Sequence, residues 1–273
     1  MQLSLSLRRI TAALCCTALS ICCLTACEHK QVTLDSGAGA EQIEAQIPQS
    51  DHLVNFTMPE IGEDIVVMTI RDYGDVKIRL FPDQTEKGAE NFKKLVESGF
   101  YDELKFHRIA DGFVIQGGDP RGDGNGGQDA WGSKEGFAQT VSPNLCHFTG
   151  AVGYAIGEDK LNKSQFYFVT GEMQTDETLA EYRKMGCAFS PAAEALYKQI
   201  GGVPYLDGGY EIFGQIFDGM EYVLEIQKNP ADAQERPQKA VVIEKAVVTQ
   251  YDGTPPHYLT AEGNAFTPES STQ

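Results

Sequence analysis

The chain has 273 residues, of which 22 are lysine or arginine and 39 aspartate or glutamate, giving a formal charge of −17. A chain this acidic has the wrong sign for gripping phosphate backbones, so nucleic acid is not an expected partner. The length fits one folded core once a leader and a linker are set aside.

The start, MQLSLSLRRITAALCCTALSICCLTAC, sets Arg8 and Arg9 ahead of an apolar run over 10–26 that ends in small residues. That order reads as a signal peptide over 1–26. The run is short and interrupted by Thr, Ser and Cys, which weakens the competing reading of a transmembrane anchor. Leu24-Thr25-Ala26-Cys27 resembles the bacterial lipobox, which implies cleavage before Cys27 and a diacylglycerol on its sulfur. Plain secretion with Cys27 as an ordinary residue is the alternative. Acyl attachment is strong when two or more chains insert, at about 0.8 kcal/mol per buried methylene. Cleavage removes two arginines and no acid, so −17 becomes −19 in the mature chain. The expected location is extracytoplasmic, lipid-anchored to a bacterial membrane.

Residues 27–52 are polar and small, a lipidated cysteine followed by a flexible tether. A folded domain is expected over 53–250. DIVVMTIRD and DVKIRLFPD flank Tyr73-Gly74, and Val76, Ile78 and Leu80 alternate with polar residues, which predicts a hairpin. Thr85 then caps a predicted helix with Ala89, Phe92, Leu95 and Val96 on one stripe and Gly99 at the exit. Short apolar runs follow, LKFHRI, FVIQG, AVGYAI, SQFYFVT and YEIFGQIF, separated by glycine-rich turns. Many short strands and few helices imply a closed or nearly closed β-structure. Residues 176–202 break that rhythm as two short helices, the second capped by Ser190 with Pro191 at its first position, so a helical insertion is expected at about 171–203. Another helix is predicted at 220–227, KAVVIEKAVVTQ supplies the last strand or strands, and 251–273 reads as a loose C-terminal tail.

Of seven cysteines, positions 15, 16, 22, 23 and 27 lie in the signal or at its end, leaving Cys146 and Cys187 in the folded body. A disulfide and two free thiols both remain open. No second Cys/His pair stands at ligand spacing, so no metal site is expected.

FHRIADGFVIQGGDPRGDGNGG, SQFYFVT and YLDGGYEIFGQI, in that order, resemble the three signature blocks of the cyclophilin-type peptidyl-prolyl cis/trans isomerases. NFKKLVESGFYDELKFHRI matches as well, so the likeness covers roughly residues 65 to 248. The resemblance implies a mainly β fold, a cyclophilin-like closed eight-stranded antiparallel β-barrel capped by two helices, with a shallow groove on its outer wall. It implies isomerisation of X-Pro bonds in proline-containing peptides with no cofactor or metal; joined to the leader reading, the expected partners are unfolded or folding exported proteins, and the expected form is a monomer attached to membrane lipid through Cys27.

Carried over by position, Arg108 is the candidate donor to the twisted imide, Phe113 the floor for the proline ring, and Gln116 the group that binds the substrate backbone or orients the arginine. Val114 stands where the family usually has methionine, Ala155 matches the alanine along the substrate, and Ile156 replaces a common asparagine. Gln165 and Leu206 keep their matches. Tyr167 replaces phenylalanine and adds a hydroxyl that must find a partner or water. Tyr205 stands where many members have tryptophan, which removes a contact to cyclosporin, and Tyr210 where many have histidine. Set alone, Arg108 reads as a surface ion-pair residue and Phe113 as core; the joint match at family spacing outweighs both.

The glycine-rich GGDPRGDGNGG lacks the Gly-Lys-Ser/Thr of a phosphate loop, so backbone turning is its expected role. Asp119, Asp123 and Asn125 resemble part of a calcium loop without the closing glutamate. His107 is read as a packed or hydrogen-bonded residue, since no proton need be abstracted. A non-catalytic peptide-binding or holdase module using the same groove is the rival reading, and a structural envelope lipoprotein ranks below it.

Overall fold

The computed structural model describes residues 49–268; the expected signal peptide over 1–26, Cys27 and the expected tether as far as residue 48 lie outside the described residues. β1 (Asp64–Ile70) and β2 (Gly74–Leu80) form the expected hairpin. Val76, Ile78 and Leu80 are buried while Lys77 and Arg79 stay half-buried, as a two-residue period requires.

The helix α1 (Glu86–Glu97) buries Ala89, Phe92, Leu95 and Val96. Phe92 is fully enclosed, with the rings of Tyr101, Phe166 and Phe213 at 5.1, 5.4 and 4.7 Å. Thr85 does precede the helix, yet its hydroxyl donates to the Phe81 carbonyl at 3.3 Å and caps nothing. The residue is buried, so its side chain serves the loop behind it rather than the first helical turn.

Next come β3 (Lys105–Phe106), β4 (Arg108–Ala110), β5 (Val114–Gly117), the small β6 (Phe137–Ala138), β7 (Ala151–Tyr154), β8 (Leu161–Asn162) and β9 (Phe166–Val169). Helices α2 (Asp176–Lys184) and α3 (Pro191–Ile200) precede β10 (Ile212–Asp218), α4 (Met220–Ile226) and β11 (Val241–Gln250). The main sheet runs β3-β11-β1-β2-β10-β7-β9-β5-β4, antiparallel throughout. Its two ends, β3 and β4, are halves of one bent strand separated only by His107, whose N–H donates to the Gln116 carbonyl at 3.0 Å. The sheet therefore closes on itself as eight strands, and no long edge is left open.

Strand alternation sorts the apolar residues into two layers. Ile109, Ile115, Phe166 and Phe168 point into the central core with α1 and α4, while Val114, Tyr167 and Val169 point outward into a second cluster. That second cluster is the floor of the groove.

The insertion forms as expected, with Ser190 Oγ accepting from Ala193 N at 3.1 Å and Pro191 opening α3. Its two ends lie side by side: a Cβ on Gly171 would sit 2.4 Å from the Gly202 Cα, so only glycine permits this closure. Leu179, Ala193, Tyr197 and Ile200 make a core of their own with Cys146 and Phe148. Cys146 and Cys187 are both buried, and burial pushes the Cys146 thiol up.

The segment after residue 250 departs from the loose tail expected for it. β12 (Tyr258–Leu259) pairs with β13 (Ala265–Phe266), and Tyr251, Tyr258 and Leu259 are buried. Tyr258 and Phe266 clasp Phe56 with ring centroids 5.2 Å away in both cases. Three aromatics spaced too irregularly for a helix or strand pattern anchor the segment by tertiary contact alone. Among the described residues no helix is long and apolar enough to cross a membrane.

Candidate active site

The groove is built by β4, β5 and β9 and by the turn 204–206 that follows the insertion. Phe113, Val114, Ala155, Tyr167, Leu206 and Tyr210 come together in the outer apolar cluster, joined by Tyr205. Val114, Tyr167 and Leu206 are nearly sealed at 2%, 4% and 6% exposure, so they form the floor, whereas Phe113, Ala155 and Tyr210 remain accessible as walls. Tyr205 stacks on Phe113 at 5.8 Å and 18°. It thereby supplies a flat wall, and Tyr182 of α2 continues that wall at 5.6 Å from Tyr205. The insertion thus reaches the groove through an aromatic ladder.

Beside this apolar patch runs a polar chain. Arg108 and Gln116 face each other across β4 and β5, and Arg108 Nη1 donates to Gln116 Oε1 at 3.4 Å. Gln116 Nε2 donates to Gln165 Oε1 at 2.9 Å, and Gln165 Nε2 donates to the carbonyls of Gly124 and Gly126 at 2.9 and 2.7 Å. Arg108 is 34% exposed in its side chain, and its Cζ lies 5.5 Å from the Phe113 ring centroid. The cation therefore sits at the groove, neither sealed nor turned away.

The glycine-rich stretch is a loop ordered from within, as its lack of a phosphate-binding lysine implies. Buried Asp119 accepts backbone N–H bonds from Arg121, Asp123 and Gly124 at 2.8, 3.1 and 2.6 Å. Both Asp119 oxygens are engaged in turning the chain, and the Asp123 carboxylate accepts from Asn125 N at 2.9 Å and from Arg121 Nη2 at 2.6 Å.

Tyr167 resolves the question its hydroxyl raises. The oxygen lies 2.8 Å from His147 Nε2, and the other ring nitrogen lies 2.7 Å from Asp207 Oδ1. Asp207 also accepts from Tyr197 of α3 at 2.6 Å and from the His147 amide at 2.7 Å. The hydroxyl fits because residue 153 is glycine: a Cβ there would lie 2.6 Å from it. Burial raises the Tyr167 phenol well above its usual range, so it stays a neutral part of the pocket floor.

His107 points away from any partner, with both ring nitrogens buried and without a hydrogen bond, and burial lowers its pKa. It stays neutral beside Arg108 and adds no competing charge. Two contributors escape a reading of the motifs. Glu235, from a loop distant in sequence, pairs with Arg108 Nε at 2.6 Å. His147 supports Tyr167, and the demand of a buried hydroxyl for a partner is the one signal that pointed toward such a residue.

A family model described as cyclophilin type peptidyl-prolyl cis-trans isomerase/CLD matches residues 65–248. A Staphylococcus epidermidis protein assigned as a peptidyl-prolyl cis-trans isomerase is 34% identical over 187 residues, covering 68% of this chain and 93% of the relative. Its Staphylococcus aureus counterpart is 35% identical over 189 residues, covering 69% and 93%. A Streptococcus pyogenes protein assigned as a bifunctional phosphatase/peptidyl-prolyl cis-trans isomerase is 37% identical over 204 residues, and this chain spans only 41% of its length. A crystal structure of a Cryptosporidium parvum cyclophilin type isomerase, determined in the presence of the dipeptide Ala-Pro, superposes with a TM-score of 0.53 at 29% identity, covering 68% of this chain and 99% of that one. The chain belongs to the cyclophilin-type peptidyl-prolyl cis-trans isomerases, and the closed barrel with its lateral groove is the fold of that class.

Proposed function

We propose that this isomerase binds proline-containing segments of exported proteins in the groove over Phe113 and speeds their folding by stabilising the twisted X-Pro bond with Arg108. Rotation about a peptide bond meets a barrier of about 18–20 kcal/mol, and X-Pro bonds interconvert in tens to hundreds of seconds, slow enough to limit folding. No nucleophile is needed. At the half-rotated state amide resonance is lost and the prolyl nitrogen gains a lone pair. A guanidinium donor aimed at that nitrogen or the adjacent carbonyl favours the twisted state over either planar one.

The observation that carries this reading is the placement of Arg108 directly beside the Phe113, Val114 and Tyr167 patch, with no hydrogen-bond partner for its Nη2 among the described residues. A proline ring held on the apolar floor would present its imide to that cation. The Ala-Pro dipeptide used with the Cryptosporidium parvum relative supports a proline-containing ligand for this groove. Exchange NMR on an Ala-Pro tetrapeptide, comparing wild type with Arg108→Ala, tests the assignment. Undiminished turnover in the variant would refute the role of Arg108, and binding of the peptide without turnover in the wild type would favour the holdase reading.

The anchored location is part of the same proposal. It is supported by the basic start, the apolar run and the Leu24-Thr25-Ala26-Cys27 stretch. Labelling with an alkyne fatty acid should mark the wild type and leave Cys27→Ala unmarked in the soluble fraction. Label that persists in the variant would sink the anchor.

A further inference from the structure

We propose that Glu235 is the positioning residue for Arg108, an inference that rests on the isomerase reading of the groove. One residue of the 230–238 loop holds two successive residues of β4. Its carboxylate accepts from Arg108 Nε at 2.6 Å, and its carbonyl accepts from Ile109 N at 2.7 Å. The partners are 127 positions apart in the chain.

The loop is built to present that carboxylate. Glu235 adopts a left-handed backbone at φ 59°, a conformation uncommon for a residue with a side chain. The turn is held by Glu235 N donating to the Asp232 carbonyl at 2.9 Å. The Asp232 carboxylate in turn accepts from Gln234 N, Arg236 N and Arg236 Nε at 2.9, 3.0 and 2.8 Å. Gln238 N donates to the Pro230 carbonyl at 2.8 Å and closes the base of the loop. An unusual backbone maintained by this many bonds, beside the groove, points to a role for the side chain it aims.

Pairing at Nε leaves the Nη edge on the side of Phe113 and Gln116. Gln116 alone holds that edge weakly, at 3.4 Å. Without Glu235 the arginine would swing among its rotamers and spend little time over the proline. The carboxylate also opposes the cation, but at a half-exposed pair that opposition is screened by water, whereas lost orientation is not recovered. The exposure of the two side chains, 34% and 44%, decides in favour of orientation.

The test uses the full chain, with exchange NMR on the Ala-Pro tetrapeptide and a ¹⁵N spectrum of the arginine side chains. Glu235→Ala should lower kcat by about tenfold with KM within about twofold, and the slowly exchanging Arg108 Nε–H signal should disappear. Glu235→Gln keeps an acceptor and should return kcat to within about threefold of wild type with the signal present. Unchanged or raised turnover in Glu235→Ala overturns the proposal, as does a glutamine variant no better than the alanine one. Should the alanine variant fail to fold, the wild-type signal and the glutamine variant carry the test: a rapidly exchanging Nε–H in the wild type overturns it. Absence of any turnover in the wild type instead defeats the isomerase reading, while the spectrum still reports on the pairing.

Discussion

Two arginines on the barrel wall have almost the same local dressing and different consequences. Arg79 on β2 and Arg108 on β4 each lie with Cζ 5.5 Å from a phenylalanine ring, Phe81 and Phe113 respectively. Each donates Nε to a glutamate, at 2.7 Å to Glu63 and 2.6 Å to Glu235. Arg79 goes further: Nη2 reaches Glu63 at 3.0 Å and Nη1 reaches the Thr57 carbonyl and hydroxyl, so all three nitrogens are engaged. Arg108 has one strong bond and one at 3.4 Å. Being 16% rather than 34% exposed, Arg79 is also the drier of the two. A guanidinium whose donors are all spent on its own chain braces that chain; one with donors left over can serve a visitor.

The largest expected effect breaks the pair apart. Arg108→Ala should cut kcat on the Ala-Pro peptide by about 10²–10³, the usual cost of removing one donor to a developing charge, with the melting temperature moved by less than about 2 °C. A comparable loss of stability would show that Arg108 is a brace like Arg79.

Glu211 breaks the comparison from another side, because incomplete bonding there serves no visitor. It is fully buried, accepts from Thr140 N and Asn162 Nδ2 at 2.6 Å each, and leaves Oε1 without a partner. Burial raises its pKa from 4.5 to about 7. The folded state therefore holds the proton more tightly than the unfolded one. This contribution to stability is fully present below pH 4.5 and is lost as pH rises to about 7, roughly 3 kcal/mol in all. Glu211→Gln should flatten the melting temperature across that window and melt higher than wild type at pH 8. An unchanged slope would mean that the carboxylate is solvated in the folded protein.

The mirror experiment, Arg79→Ala, should preserve kcat/KM and lower stability by about 2 kcal/mol, or about 4–8 °C in melting temperature, since Glu63 loses its partner. Activity falling with stability intact would overturn the division of labour. The smallest effect belongs to Tyr167→Phe. It leaves His147 Nε2 without its bond at a cost of about 1–2 kcal/mol, yet keeps the apolar floor, so KM for the peptide should stay within about twofold. A large rise in KM would place the hydroxyl in contact with substrate.

Most of the barrel was legible in the residues. The alternation in DVKIRL, the stripe on α1, and the Ser190-Pro191 start of α3 each express a period or cap confined to a few neighbouring positions, and each forms in the structure. The groove residues were legible only through resemblance, because nothing local distinguishes Phe113 from a core phenylalanine. Thr85 shows the limit of a local rule: it occupies the capping position but is buried, so its hydroxyl serves Phe81. The segment after residue 250 shows the same limit, being anchored by Tyr258 and Phe266 against Phe56, more than two hundred positions earlier.

The chain by itself determined the strand segments, the helix faces and the insertion, since these depend on spacing within short segments, and its motif blocks carried the resemblance to the isomerase family. Only the tertiary structure decided that β3 and β4 join to close the barrel, that Tyr167 finds His147, that α2 reaches the groove through Tyr182, and that Glu235 meets Arg108. Each of those meetings is a contact between residues far apart in sequence, and loop closure leaves no periodic trace in the residues it brings together.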